Sequence, residues 1–324
     1  CGMIRGGTRQ GGKEGIVPKR YRLLTRSDFD GLVCAMLFKE LDMIEEIVFV
    51  HPSDMQTGKV QVGPGDITTN LPYVPGVSLA FDHHASEAIR ERPHQNYIIV
   101  PAAFSAAHVV YDYYGGPRAF PPRYEEIVLE ADKIDSARLT MEEVLHPSGW
   151  ILLGFLTDSR TGLGRFKHFR ISNYQLMMDL IEACRIYSIE EILEFPDVQE
   201  RVVLYREQEG LYREQLKQVS RVEGTVLVTD LRKEPVIYVG NRFLRYALYP
   251  EINVSLQVMW GLHRQNTVIS VGKSIFNRTS PIHVSALLLR YGGGGHENAG
   301  TCQVANDEAD RIVEEIIRQL DTGG

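Results

Sequence analysis

Short apolar runs bounded by polar corners alternate with stretches of helical periodicity along the first hundred residues. Tyr21 to Thr25 reads as a strand and runs directly into Arg26-Ser27-Asp28-Phe29-Asp30-Gly31. Leu32 to Phe38, apolar nearly all round, predicts a helix buried against a sheet, with Asp30 suited to its N-cap. Glu46 to Val50, Val77 to Ala80 and Tyr97 to Val100 are further strands, and Phe104 to Tyr114 has a helical pattern. Strands that alternate with helices imply a doubly wound, mostly parallel sheet.

From Arg123 the pattern turns helical. Tyr124 to Ala131 ends in Asp132-Lys133-Ile134-Asp135, and Trp150 to Leu156 ends in Thr157-Asp158-Ser159-Arg160. Ser172 with Gln175, and Ser188 with Glu191, have capping-box spacing and mark two helix starts. Val198 to Val219 is long and heavily charged on one face, as a linking helix would be. From Glu223 the runs become β-rich: Val226 to Thr229, Val236 to Val239, Val254 to Met259 and Val268 to Val271, closed by helices at Val284 to Arg290 and Asp307 to Leu320. The expected architecture is α/β: a catalytic domain at 20–197, a linking helix at 198–222 and a smaller α+β domain at 223–324. Residues 1–19 carry basic residues without an apolar core, which predicts a disordered segment and no secretory signal.

Length supports this division, since 324 residues exceed what one typical core needs. A net charge of −7 argues against a broad basic surface that tracks long nucleic acid, and leaves room for a local basic pocket. The four cysteines are scattered without a CxxC pair and read as reduced thiols, so a cytoplasmic setting is expected. No apolar run approaches the length that spans a bilayer, and no membrane partner is expected.

Three stretches carry chemistry. Asp82-His83-His84 stands at the carboxyl end of the strand from Val77, where open α/β sheets place their ligands, and carboxylate plus imidazole suits a divalent transition metal. Asp28 and Asp30 are two apart, so on an extended backbone both carboxylates face one side and favour a cation between them. Gly292 to Gly295, followed by His296, Glu297 and Asn298, can expose backbone N–H groups to an anion or can be a flexible turn. Arg278 can clamp phosphate or be solvated. Tyr111-Asp112-Tyr113-Tyr114 reads as helix packing rather than a base-stacking platform, and His108, His168 and His263 as structural or solvated.

An acidic D-x-D-G turn, a D-H-H corner and a terminal G-G-G-G-H together resemble the DHH phosphoesterase superfamily with its associated C-terminal domain, especially its oligoribonuclease and exopolyphosphatase-like branch. The resemblance runs from about Arg20 to the end. It implies a two-manganese centre, with magnesium as an alternative, held by Asp28, Asp30, His83, a motif-two acid and a later acid. Asp66 is taken for the motif-two acid, with Asn70 the other candidate. Asp158 is taken for the later acid, with Asp132 in reserve. Asp82 would orient an imidazole and His84 would face the scissile phosphate. Arg26 stands near where the family carries a histidine, and either leaves one ion with fewer ligands or touches substrate. Gly293, Gly294, Gly295, His296, Asn298 and Arg278 would grip the distal end. The implied activity is a metal-dependent phosphodiesterase acting on very short oligonucleotides or small nucleotide phosphoesters. A polyphosphate or pyrophosphate hydrolase and a catalytically attenuated nucleotide sensor remain alternatives, and a homodimer stays open.

Overall fold

The computed structural model describes residues 20–84, 87 and 94–321, so the N-terminal segment expected to be disordered lies outside it. Strands β1 (Tyr21–Thr25), β2 (Ile44–Phe49), β3 (Asp66–Thr69), β4 (Leu79–Asp82) and β5 (Tyr97–Ile99) form one sheet in the order β2-β1-β3-β4-β5. Every neighbouring pair is parallel. The carboxyl ends of β1, β3 and β4 therefore open on one edge, the edge that carries the D-x-D-G turn and the D-H-H corner.

Helix α1 (Phe29–Glu40) follows β1, and every residue from Phe29 to Phe38 is buried, as its all-round apolar sequence requires. Its N-cap is Asp28, whose side chain accepts from the Gly31 amide; Asp30 lies two residues on, in the first turn, rather than at the cap. The cap falls on Asp28 because its backbone is extended, with φ −147° and ψ −179°, while Phe29 already begins the helix. After α2 (Pro52–Gln56), helices α3 (Ala106–Tyr113), α4 (Arg123–Asp135), α5 (Met141–Leu145), α6 (Gly149–Thr157), α7 (Asn173–Ile186) and α8 (Ile189–Leu193) complete the first domain. Ser188 and Glu191 form a reciprocal capping box at α8, whereas Ser172 caps α7 alone because the Gln175 side-chain amide turns to Asp179. The tyrosines after α3 pack: Tyr114 lies edge-on to Phe38, and Tyr113 edge-on to Phe81.

Helix α9 (Pro196–Val219) leads into a six-stranded mixed sheet, β6 (Ser220–Glu223), β7 (Val226–Asp230), β8 (Val254–Trp260), β9 (Thr267–Lys273), β10 (Gly294–Gly295) and β11 (Ala299–Val304), in the order β10-β11-β9-β8-β7-β6. Helices α10 (Leu244–Leu248), α11 (Val284–Leu289) and α12 (Ala309–Asp321) accompany it, and the apolar stripe Ile312, Val313, Ile316, Ile317 and Leu320 closes the second core. The run Val236 to Val239, expected as a strand, is irregular. Its backbone groups are taken by glutamines of α9: the Tyr238 and Val239 amides donate to Gln215 and Gln208, and Gln215 donates to the Val236 carbonyl. Side chains of a helix thus replace a strand partner. Among the described residues no helix is long and apolar enough to cross a membrane, and Cys34, Cys184 and Cys302 are buried free thiols.

Arg201 of α9 ties this helix to the first domain from a fully buried position. Its guanidinium donates to the Asn173 side chain and to the Ile171 and Asp197 carbonyls, and lies over the Phe169 ring. Arg201→Ala would take the donor from these acceptors and from Glu200 at 3.0 Å, and a buried polar group left unsatisfied costs about 1–3 kcal/mol. Urea denaturation checks this; a loss below about 1 kcal/mol, the size of an ordinary exposed pair, would show that Arg201 is dispensable.

Candidate active site

Asp30 is the innermost acid. From the first turn of α1 it is 2% exposed, and its two oxygens accept the Ala106 and Ala107 amides, the first of α3, at 3.0 and 2.8 Å. Ser105 caps α3 and donates to Asp132 at 2.7 Å, and Asp132 also receives His108 Nδ1 at 2.6 Å. Asp132 therefore braces the amides that hold Asp30 and does not itself reach the cluster. The turn that delivers these acids needs Gly31, because a Cβ there would stand 2.0 Å from the Arg26 carbonyl oxygen.

His83 Nε2 faces Asp135 Oδ2 at 3.2 Å across the cluster, but forms no hydrogen bond in that direction. Asp30, His83 and Asp135 bring one ligand atom each to within 4.8 Å of one another. Burial opposes charge on His83, yet contact with Asp135 raises its pKa. The same contact holds Asp135 below the usual carboxylate range despite its burial. Burial first, then the Asp135 charge, pushes Asp30 upward. Two acids and an imidazole that converge without completing one another's hydrogen bonds suit a divalent cation.

The corner itself is wired by Asp82. Fully buried, its Oδ1 accepts the His83 amide at 2.8 Å and His84 Nδ1 at 2.5 Å, while Oδ2 accepts Tyr97 Oη at 3.2 Å. Asp82 thus orients His84. The His84 ring stacks on His296 of the second domain at 4.5 Å and 22°. Much of His296 is open to the cleft; loss of solvation, then His84 and Arg26, lowers its pKa to about 4, so it is neutral at pH 7. Asp28 Oδ1 accepts Asn70 Nδ2 at 3.4 Å, and Oδ2 lies 3.2 Å from Arg26 Nε.

Other expected residues sit elsewhere. Asp66 is at the amino end of β3, where the β1–β3 register sets it against Arg22, and its oxygens accept Arg22 Nε and Nη2 at 2.8 and 2.9 Å. Asn70, just past the carboxyl end of the same strand, reaches Asp28 instead. Asp158 borders the cleft but faces arginines: Oδ1 accepts the Arg160 amide at 2.8 Å and Nε at 2.7 Å, and Oδ2 is 3.4 Å from Arg242 Nε. Burial would raise Asp158, but Arg160 and Arg242 bring its pKa down to about 2. At the histidine it is Asp135 that stands where a later acid was sought. The only sign of this in the sequence was its place in the Asp132-Lys133-Ile134-Asp135 tail. Arg160 and Arg242 carried no such sign.

Of the glycines, Gly293 and Gly295 are required by close packing. A Cβ at Gly293 would meet Cys302 Cβ at 2.5 Å, and one at Gly295 would meet the Ala299 oxygen at 2.4 Å, where φ is also +143°. Gly294 has open space beside it. Arg278 donates to the carbonyls of Ile275 and Ala137 at 2.9 and 3.2 Å, bridging the domains just past α4, and Asn298 is exposed beyond β10.

No protein-family model and no curated protein sequence matches the chain. Among solved structures it is similar to a pGpG-specific phosphodiesterase, PggH, from Vibrio cholerae, with 51% identity, a TM-score of 0.80, and coverage of 94% of this chain and 100% of that one. It also shares its fold with RecJ from Thermus thermophilus, whose structure contains Mn2+, at 14% identity and a TM-score of 0.50, covering 93% of this chain and 52% of that one. Half of all positions shared along a whole relative, around an acidic turn and a D-H-H corner on the same sheet edge, leave one conclusion: this chain belongs to the DHH phosphoesterase superfamily.

Proposed function

We propose that the protein is a manganese-dependent phosphodiesterase that hydrolyses dinucleotides of the pGpG type. The observation that carries this is the convergence of Asp30, His83 and Asp135 opposite the His84–His296 pair, supported by the 51% identity to a pGpG-specific enzyme. Asp30, His83 and Asp135 would hold one ion, and Asp28 would offer a carboxylate toward a second with fewer protein ligands, since Arg26 and Asn70 occupy its sides. Divalent ions supply an activated water and neutralise charge at the reacting phosphate. Asp82, by accepting from His84 Nδ1, leaves His84 Nε2 for the substrate, where it can hold a proton at the leaving oxygen. Neutral His296, stacked on that ring, fixes its plane. The buried free thiols support a cytoplasmic setting.

The test is turnover of pGpG beside pyrophosphate and tripolyphosphate, with Mn2+ and Mg2+, products resolved by chromatography. Two guanosine monophosphates from pGpG are the expected result. Cleavage of polyphosphates without pGpG would assign the runner-up activity, and tight pGpG binding without turnover would mark a sensor.

Metal affinity should rise with pH. His83 and Asp30 both have raised pKa values, so near neutrality they hold protons that the ion must displace. Each displaced proton makes affinity climb about tenfold per pH unit until that group's own pKa is passed. Mn2+ titration by calorimetry at pH 6, 7 and 8 is expected to show this climb; a flat profile would mean the cluster is already deprotonated.

A further inference from the structure

We propose that Arg160 and Arg242, one from each domain, grip the 5′-terminal phosphate of the substrate and so select phosphorylated dinucleotides over those that end in a 5′-hydroxyl. The inference rests on the proposed function and adds the group that reads the substrate's end. Both arginines line the same cleft as Asp28, Asp30 and Asp135. Arg160 follows α6, and Arg242 lies between β7 and α10, so the pair meets only when the two domains are together.

Their donors are not used up within the chain. Asp158 takes the Arg160 amide and Nε on one oxygen, while Asp28 and Asp135 act on the arginines only through their charge. Arg242 Nε is buried 3.4 Å from the other oxygen without a hydrogen bond, and its guanidinium carbon lies 4.1 Å from the centre of the Phe243 ring. Among the described residues, no hydrogen bond uses either Nη of Arg160 or any side-chain nitrogen of Arg242. Burial and the neighbouring Arg160 lower Arg242 to about 10, so it stays charged at neutral pH and the repulsion persists. Unused guanidinium donors of both arginines are left in the cleft.

A terminal phosphomonoester matches those free donors better than a phosphodiester does. It carries about −1.5 to −2 at pH 7 with three acceptor oxygens, where a diester carries one charge. Paired guanidiniums accept such a group bidentately. The scissile diester is already placed by the acid cluster and His84, so the two arginines beyond the acids serve the neighbouring phosphate.

The experiment compares kcat/KM for pGpG and GpG in the parent, Arg242→Gln and Arg160→Gln, together with calorimetric binding of both dinucleotides in EDTA. The parent is expected to prefer pGpG by at least tenfold in both measurements. Each variant is expected to bring that ratio close to 1, while Arg242→Lys retains part of it. If the variants weaken pGpG and GpG equally, the arginines serve the scissile phosphate or the domain contact, and the inference falls while the phosphodiesterase reading stands. A parent without preference also overturns it. If the parent cleaves neither dinucleotide, the proposed function itself fails.

Discussion

Asp135→Ala and His83→Ala are each expected to lower pGpG turnover by three orders of magnitude or more, about 4 kcal/mol of transition-state stabilisation. Both side chains point into the cluster, where they face each other at 3.2 Å without a completed hydrogen bond. Removing either would leave the proposed ion one donor short. The parent should gain thermal stability with added Mn2+, because a ligand that binds only the folded state stabilises it by mass action, by about 2.7 kcal/mol at a hundredfold excess over Kd. The variants should lose most of that gain. Asp66→Ala is the contrast: its partner is Arg22 at the far end of β3, so it should lower stability without altering the Mn2+ titration. Turnover unchanged in Asp135→Ala, or a Mn2+ titration shifted in Asp66→Ala, would move the metal centre away from where the geometry puts it.

The second large effect is on substrate length. His84 and His296, whose rings are 4.5 Å apart, bring the D-H-H corner and the glycine hairpin together, so a substrate that engages both need only be short. A dinucleotide reaches both at once. A long strand would have to leave over a protein of net charge −7, which disfavours its remaining phosphates. We expect kcat/KM to be highest for two nucleotides, to persist to about five and to be at least tenfold lower for a 24-mer, since simultaneous engagement raises effective concentration only where geometry permits it. His296→Ala should lower kcat, because the His84 ring then loses the stacking contact that fixes its plane. A length series of 5′-labelled RNA measures this. Equal rates on dimer and 24-mer would refute this preference for short substrates.

Several of these features can be read from local sequence because their causes are local. An apolar pentapeptide, an acidic turn with glycine and an all-round apolar helix specify strand, turn and buried helix through neighbours a few residues away. The D-H-H corner is equally local: Asp82 orients His84 two residues on. The α/β class and the second sheet were legible on these grounds, and so was the superfamily; that His296 stacks on the corner was not, since it depends on how the domains meet.

What the tertiary structure decided were choices between similar residues far apart in the chain. Asp66 and Asn70 bracket one strand, about 13 Å apart at its rise per residue, and only the β1–β3 register shows that Arg22 meets the first and Asp28 the second. Asp132 and Asp135 lie one turn apart on α4, and helical periodicity treats them alike. Packing on α1 and α3 sends Asp132 to Ser105 and His108, and Asp135 to His83. Asp158, attractive by its motif, meets two arginines, one contributed by the other domain. Val236 to Val239 has the composition of a strand, yet the glutamines of α9 take its hydrogen bonds. Sequence pattern determines which residues can bind an ion or a phosphate, because that depends on side-chain type and short-range spacing. Which of them do so depends on strand register, helix phase and domain docking, and these are set by burial of the whole chain.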